Sequence, residues 1–99
     1  MKDRKEYRAK AHRTINELFD KVDEFEAHAK QSRDNQKQRM KDRMNDLKTR
    51  REAVKTKFEI LEEATSESWD EIKEGFEEAK DALINAWERA MAEFKNEKV

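Results

Sequence analysis

Apolar side chains recur along this chain in alternating steps of three and four. Ile15, Leu18, Val22, Phe25 and Ala29 form one such series, with Phe19 beside it. Met40, Met44, Leu47, Val54, Phe58 and Leu61 form a second, and Arg51 takes the seam position between Leu47 and Val54. Trp69, Ile72, Phe76, Ala79, Leu83, Trp87, Ala90 and Phe94 form the third, with Ala82 and Ala86 alongside. Steps of three and four place side chains on one face of an α-helix, so each series predicts an amphipathic helix and the fold class is all-α.

The first two series can be joined without breaking stride. Continuing from Ala29 gives Arg33, Gln36, Met40 and Met44, a seam whose middle is polar. Polar seam residues destabilise but can set register. The stretch KQSRDNQKQRMKDRM, residues 30–44, contains no glycine or proline, and its Lys, Gln and Arg residues are good helix formers. This favours one long helix over residues 3–64. The alternative is a turn near Asp34-Asn35, the only turn-forming pair available, with Ser32 able to cap a following helix.

The boundary at EEATSESWDE is stronger. Thr65, Ser66 and Ser68 are poor helix-interior residues and good caps; Ser68 with Glu71 has capping-box spacing, and an N-cap at Ser66 is a close competitor, so a new helix begins within 66–69. Asp70 and Glu71 suit the positive end of a helix dipole. A cap at 64–68 and a last helix over 67–96 follow. Gly75 lies inside that helix, where it costs about 1 kcal/mol relative to alanine. Close approach by a neighbouring helix is the expected reason.

Composition narrows the fold further. No proline, one glycine and 47% charged residues are the make-up of long helices or a coiled coil. With 34% hydrophobic residues the chain cannot fill a thick interior, but it can fill a thin seam between a few helices. All 99 residues therefore belong to a single domain. No apolar run approaches the roughly 20 residues that span a bilayer. The opening MKDRKEYRAK has no apolar core of a secretory signal, so a cytoplasmic location is expected.

Charge is balanced overall and divided locally. Residues 1–29 are neutral, residues 30–57 carry eleven basic and four acidic side chains, and residues 58–99 carry five basic and thirteen acidic ones. A basic middle and an acidic end suggest helices lying side by side with complementary faces. The other use of such a basic stretch is binding of nucleic acid or an anionic surface.

The segment Ser66-Glu67-Ser68-Trp69-Asp70-Glu71-Ile72-Lys73-Glu74-Gly75-Phe76 resembles a pattern recurring in small bacterial coiled-coil proteins described as stress-response or hypothetical proteins. Its form is Ser-x-x-Trp-Asp/Glu-x-Leu/Ile-Lys-x-Gly-Phe/Val, and Trp87 continues the aromatic theme. The resemblance implies a link to stress, with no catalytic residue and no defined molecular activity. KQSRDNQKQR departs from the alanine-rich middle of that pattern.

Chemistry is sparse. There is no cysteine, so thiolate metal sites and nucleophiles are excluded. His12 and His28 point about 160° apart on one helix and neither belongs to a Glu-x-x-His motif. Asp20, Glu24 and His28 share an i, i+4 face, which reads as a solvated, salt-bridged one. There is no phosphate-binding glycine loop and no G-x-S-x-G. No enzyme, cofactor, metal or small-molecule substrate is expected.

These readings combine into a long helix with a shorter antiparallel helix packed on its second half. The first half would then show an uncovered stripe, Ile15 to Phe25, needing a partner. An antiparallel homodimer across the Arg33/Gln36 waist covers it; a monomeric three-helix bundle with a turn near Asp34-Asn35 is the alternative. The expected self-association seam is Ile15, Leu18, Val22, Phe25, Met40, Met44, Leu47, Val54, Phe58, Leu61, Trp69, Ile72, Phe76, Leu83, Trp87 and Phe94. The expected function is a non-catalytic scaffold or protein–protein interaction protein, a homodimer or higher homo-oligomer with scope for another protein partner. The alternative function is peripheral binding of anionic lipid or nucleic acid through residues 30–57 or the aromatic last helix.

Overall fold

The computed structural model describes the backbone of residues 2–31 and 34–98, and the side-chain burial of residues 4–31 and 37–93. Three helices follow one another: α1 (Lys2–Lys30), α2 (Asp34–Glu62) and α3 (Trp69–Lys98). No strand occurs among the described residues.

The contacts set the directions. Arg8 reaches Leu61, His12 lies on Phe58, Arg51 meets Asp23 and Lys48 meets Glu26, so α1 and α2 run antiparallel. Phe58 packs on Phe76 while Arg43 meets Glu93, so α2 and α3 are antiparallel too. Tyr7 touches Trp69 and Phe76, and Lys21 touches Trp87, which makes α1 and α3 parallel. The result is an up-down-up bundle measuring 52 × 17 × 16 Å.

This corrects the continuous helix over 3–64. A rod of that length would extend about 93 Å at 1.5 Å per residue. Instead α1 ends at Lys30, where the Gln31 amide donates to the His28 carbonyl at 3.1 Å, and α2 has begun by Asp34. The alternative, three helices packed within one chain with a reversal near Asp34-Asn35, is the arrangement observed, although both of those residues are already in α2. Arg33 and the side chain of Gln36, the expected polar waist, lie outside the described residues. The physical reason for the reversal is the stripe on α1. Folding back covers it within one chain, at the effective concentration of a short connection, without the entropy lost in recruiting a second molecule.

The core follows the heptad pattern. Ala11, Ile15, Leu18, Val22 and Phe25 from α1 meet Met40, Met44, Leu47, Val54, Phe58 and Leu61 from α2, with Phe76, Leu83 and Ala90 from α3. No polar or charged residue is buried among the described ones. Val22, Phe25, Met40, Val54, Leu61, Leu83 and Ala90 are fully enclosed, so the stripe that called for a partner is already covered. Trp69, Ile72 and Trp87 are only partly buried and flank this core. The side chain of Phe94 lies outside the described residues. Arg51 keeps its seam position by reaching outward: its guanidinium lies 4.6 Å from the Phe19 ring centre and donates to Asp23 at 3.1 Å.

At the α2–α3 connection, the Glu63 and Ala64 amides donate to the carbonyls of Ile60 and Leu61, tightening the last turn. Ser68 accepts the Ile72 amide through its carbonyl at 3.1 Å and so stands as the N-cap of α3. Its hydroxyl is 3.2 Å from that of Thr65. Asp70 and Glu71 occupy the first turn.

Gly75 is not explained by internal crowding. A Cβ there would meet only the Lys57 Cδ at 4.0 Å, an ordinary contact, and no glycine has positive φ. Gly75→Ala should therefore stabilise the bundle in dilute solution by about 1 kcal/mol, raising Tm by roughly 4–8 °C. A lower Tm in a thermal melt followed by circular dichroism would show that the space beside Gly75 is needed by the chain itself.

Candidate functional site

Among the described residues, a connected polar arrangement lies where α1 begins and α2 ends. The last turn of α2 has no basic residue of its own, although a helix C-terminus exposes carbonyls and negative dipole. Arg8 of α1 supplies the missing charge. Its Nε donates to the Leu61 carbonyl at 3.2 Å and its Nη2 to the Ala64 carbonyl at 3.0 Å. The same guanidinium sits 5.3 Å from the Trp69 ring centre, so one side chain ties α1 to the end of α2 and the start of α3.

Tyr7 adds a second tie. Its ring stands edge-on to Trp69 at 5.7 Å and to Phe76 at 6.4 Å, and its hydroxyl donates to Glu77. Lys73 lies 4.8 Å from the Tyr7 ring centre, and Lys80 donates to Glu77 at 2.5 Å. Burial, then the hydrogen bond to Glu77 and that carboxylate's charge, push the Tyr7 hydroxyl well above its ordinary range, so it remains a donor. Burial acts to raise the Glu77 carboxyl, but the hydrogen bonds from Lys80 and Tyr7 and the charges of Lys80 and Lys73 bring it below the usual carboxylate range. The cluster forms a clasp in which every group is engaged by another side chain or a backbone carbonyl.

The basic stretch is divided between neighbours. Arg43 pairs with Glu93 of α3 through two contacts of 2.5 and 2.8 Å. The hydrogen bond from Arg43 holds the Glu93 carboxyl below its ordinary value. Lys48 pairs with Glu26 at 3.6 Å and Arg51 with Asp23, both on α1. Arg50 is paired along its own helix with Asp46 at 3.2 Å. Complementary packing of the basic middle thus involves α1 as well as the acidic last helix.

The two sequence-expected features with chemical potential are placed as follows. His12 is exposed and its ring lies 5.9 Å from that of Phe58, while His28 is exposed at the other end of α1. Among the described residues no group of three or more His, Asp or Glu side chains is arranged to hold a metal ion. Trp87 lies under Lys21, whose Nζ is 4.9 Å from the ring centre, and its indole N–H is buried without a protein partner.

The seam residues from Ile15 to Trp87 are brought together in one core, against which Trp69, Ile72 and Trp87 are half-buried. Sequence reasoning missed Tyr7, Ala11 and Ala64. Tyr7 and Ala11 continue the α1 stripe by steps of four, which was the signal available for them. Nothing local marks Arg8, because its partners are fifty-three and fifty-six residues away.

Comparison with protein-family models, curated proteins and solved structures finds no match for this chain.

Two outcomes follow from the clasp. Arg8→Ala should lower stability by about 1–3 kcal/mol, because two α2 carbonyls lose a charged donor; Arg8→Lys should recover only part of this, since one ammonium cannot reproduce the fork. Equal stability of Arg8→Ala and the parent in urea unfolding would remove the clasp from the account. Glu77 and Glu93 have folded values below the unfolded value of 4.5. Their contribution is present above that pH and is lost as pH falls through the folded values. Tm should drop on acidification below about pH 4.5, and less steeply in Glu77→Gln than in the parent.

Proposed function

We propose that this protein is a non-catalytic helical scaffold that works by contact with other proteins. The observation carrying this reading is the composition of its interior: every buried side chain among the described residues is apolar. Acid–base and nucleophilic chemistry rely on polar groups held in a water-excluding site; apart from the non-titrating Trp87 indole N–H, the polar groups described here serve the surface and the clasp. The resemblance at residues 66–76 adds a role in stress as the setting in which such contacts are made.

Peripheral binding to anionic lipid or nucleic acid is the second reading, supported by the charge of residues 30–57. Two features favour the scaffold over it. Arg43, Lys48, Arg50 and Arg51 are already paired with carboxylates. Phe76 is buried, and Trp69 and Trp87 lean on the core, so an aromatic face for lipid would require the bundle to open. No described helix is long and apolar enough to cross a membrane.

Retention on anionic liposomes and on random duplex DNA distinguishes the readings. At about 150 mM salt, where the Debye length is near 8 Å, neither support should hold the protein. Tight retention that falls away with added salt would contradict the scaffold reading.

A further inference from the structure

The groove between α2 and α3 carries a second pattern, separate from the core. On α3 its flank is Glu71, Gly75, Glu78, Ala82, Asn85 and Arg89, spaced by steps of four and three like a coiled-coil seam. On α2 its flank includes Arg43, Asp46 and Arg50 toward one end, and Lys57 and Ile60 toward the other.

Three observations meet in this groove. Ile60 is the one large hydrophobic residue exposed among those described, at 44%. It lines the same hollow as Gly75 and Ile72, and the space beside Gly75 is filled by nothing closer than Lys57 Cδ. The two halves of the groove also differ in charge. Glu71, Glu74 and Glu78 rim the Ile60 end against the single Lys57, while Arg89 rims the Ala82–Ala86 end beside Arg43 and Arg50, which Glu93 and Asp46 already neutralise. Glu71, Glu78 and Arg89 make no ion pair among the described residues.

We propose that this groove is a self-docking surface on which a second copy of the chain lies antiparallel, related by a two-fold axis near residue 80. The proposal rests on the protein-contact reading above and names its partner. In that register Glu71 faces the partner's Arg89, Gly75 faces the partner's Asn85, and Glu78 faces the partner's Ala82. Each pairing occurs twice, as an isologous interface requires. Glu71 of each copy meets Arg89 of the other, whereas a parallel arrangement would set Glu71 against Glu71 and Arg89 against Arg89. Ile60, level with Gly75, is carried over the partner's alanine floor. Gly75 and Ala82 leave room for the Asn85 and Glu78 side chains that face them from the other copy, which gives Gly75 a purpose that packing within one chain does not. This dimer is different from one formed across the α1–α2 waist, and it leaves the three-helix core intact.

Sedimentation velocity of the full chain, with charge-swap variants, tests it. The parent should show a monomer–dimer equilibrium with Kd on the order of 10–100 µM, weakened by salt, as a small polar interface implies. Glu71→Arg and Arg89→Glu, each placing like charges opposite twice, should each raise Kd at least about tenfold. The double variant should return to within about threefold of the parent, since the swapped charges pair again. Gly75→Gln should weaken association while its Tm at low concentration stays at or above the parent's. All these positions are at the surface, and circular dichroism confirms that each variant is folded.

A parent that sediments as a single chain up to about 500 µM would overturn the proposal. So would a double swap no better than the single ones. Either outcome leaves the protein-contact reading standing, because retention on liposomes and DNA tests that reading separately.

Discussion

The apolar stripe that α1 carries from Ala11 to Phe25 has to be kept from water, and two neighbouring helices share that task. The rest of the structure follows from covering it. α2 lies antiparallel along one side of the stripe and α3 parallel along the other, so three thin seams close on one axis. Each helix donates from positions in a heptad pattern, and side chains as different as Phe25, Met40 and Leu83 reach complete burial. A chain with nearly half its residues charged can hold a core this way because each helix needs only a narrow strip of apolar residues.

Covering the stripe within one chain requires a reversal between Lys30 and Asp34, and the bundle's two ends secure it differently. Near the reversal, Lys48–Glu26 and Arg43–Glu93 link the helices through side chains that remain partly in water, where such pairs contribute about 1 kcal/mol or less. At the opposite end, Arg8 and Tyr7 tie all three helices at the point where α2 stops and α3 starts. The clasp thus stands at the end where α1 has no covalent turn to hold it. Arg8 serves the backbone carbonyls of α2 that α2's own sequence leaves unserved.

Much of this was legible in the residues. The alternating three–four steps identified nearly every core position, and Ser68 marked the start of α3. The reversal was not legible, for a physical reason: Lys, Gln and Arg favour helix locally, and no glycine or proline advertised a turn. Tertiary cover of the α1 stripe overrode that local preference. Gly75 was expected to relieve crowding inside the bundle, but a Cβ there would make only an ordinary contact with Lys57. The Arg8 clasp was invisible because it joins segments more than fifty residues apart, which no local motif encodes. The proposed function was less legible still, since contact with other proteins leaves no spacing rule as strict as that of a metal site or a catalytic motif.

The central claim is that α1 and α2 pack on each other within one molecule. Asn16 and Lys55 are both exposed, and antiparallel packing brings them level on adjoining flanks. Spin labels on cysteines replacing these two residues, with labelled chain diluted into excess unlabelled protein, report only the intrachain distance. The bundle predicts a distribution below about 25 Å, allowing for an interaxial separation of 8–10 Å and the reach of two labels. A peak near 58 Å, the span of thirty-nine residues along one unbroken helix at about 1.5 Å each, would contradict it.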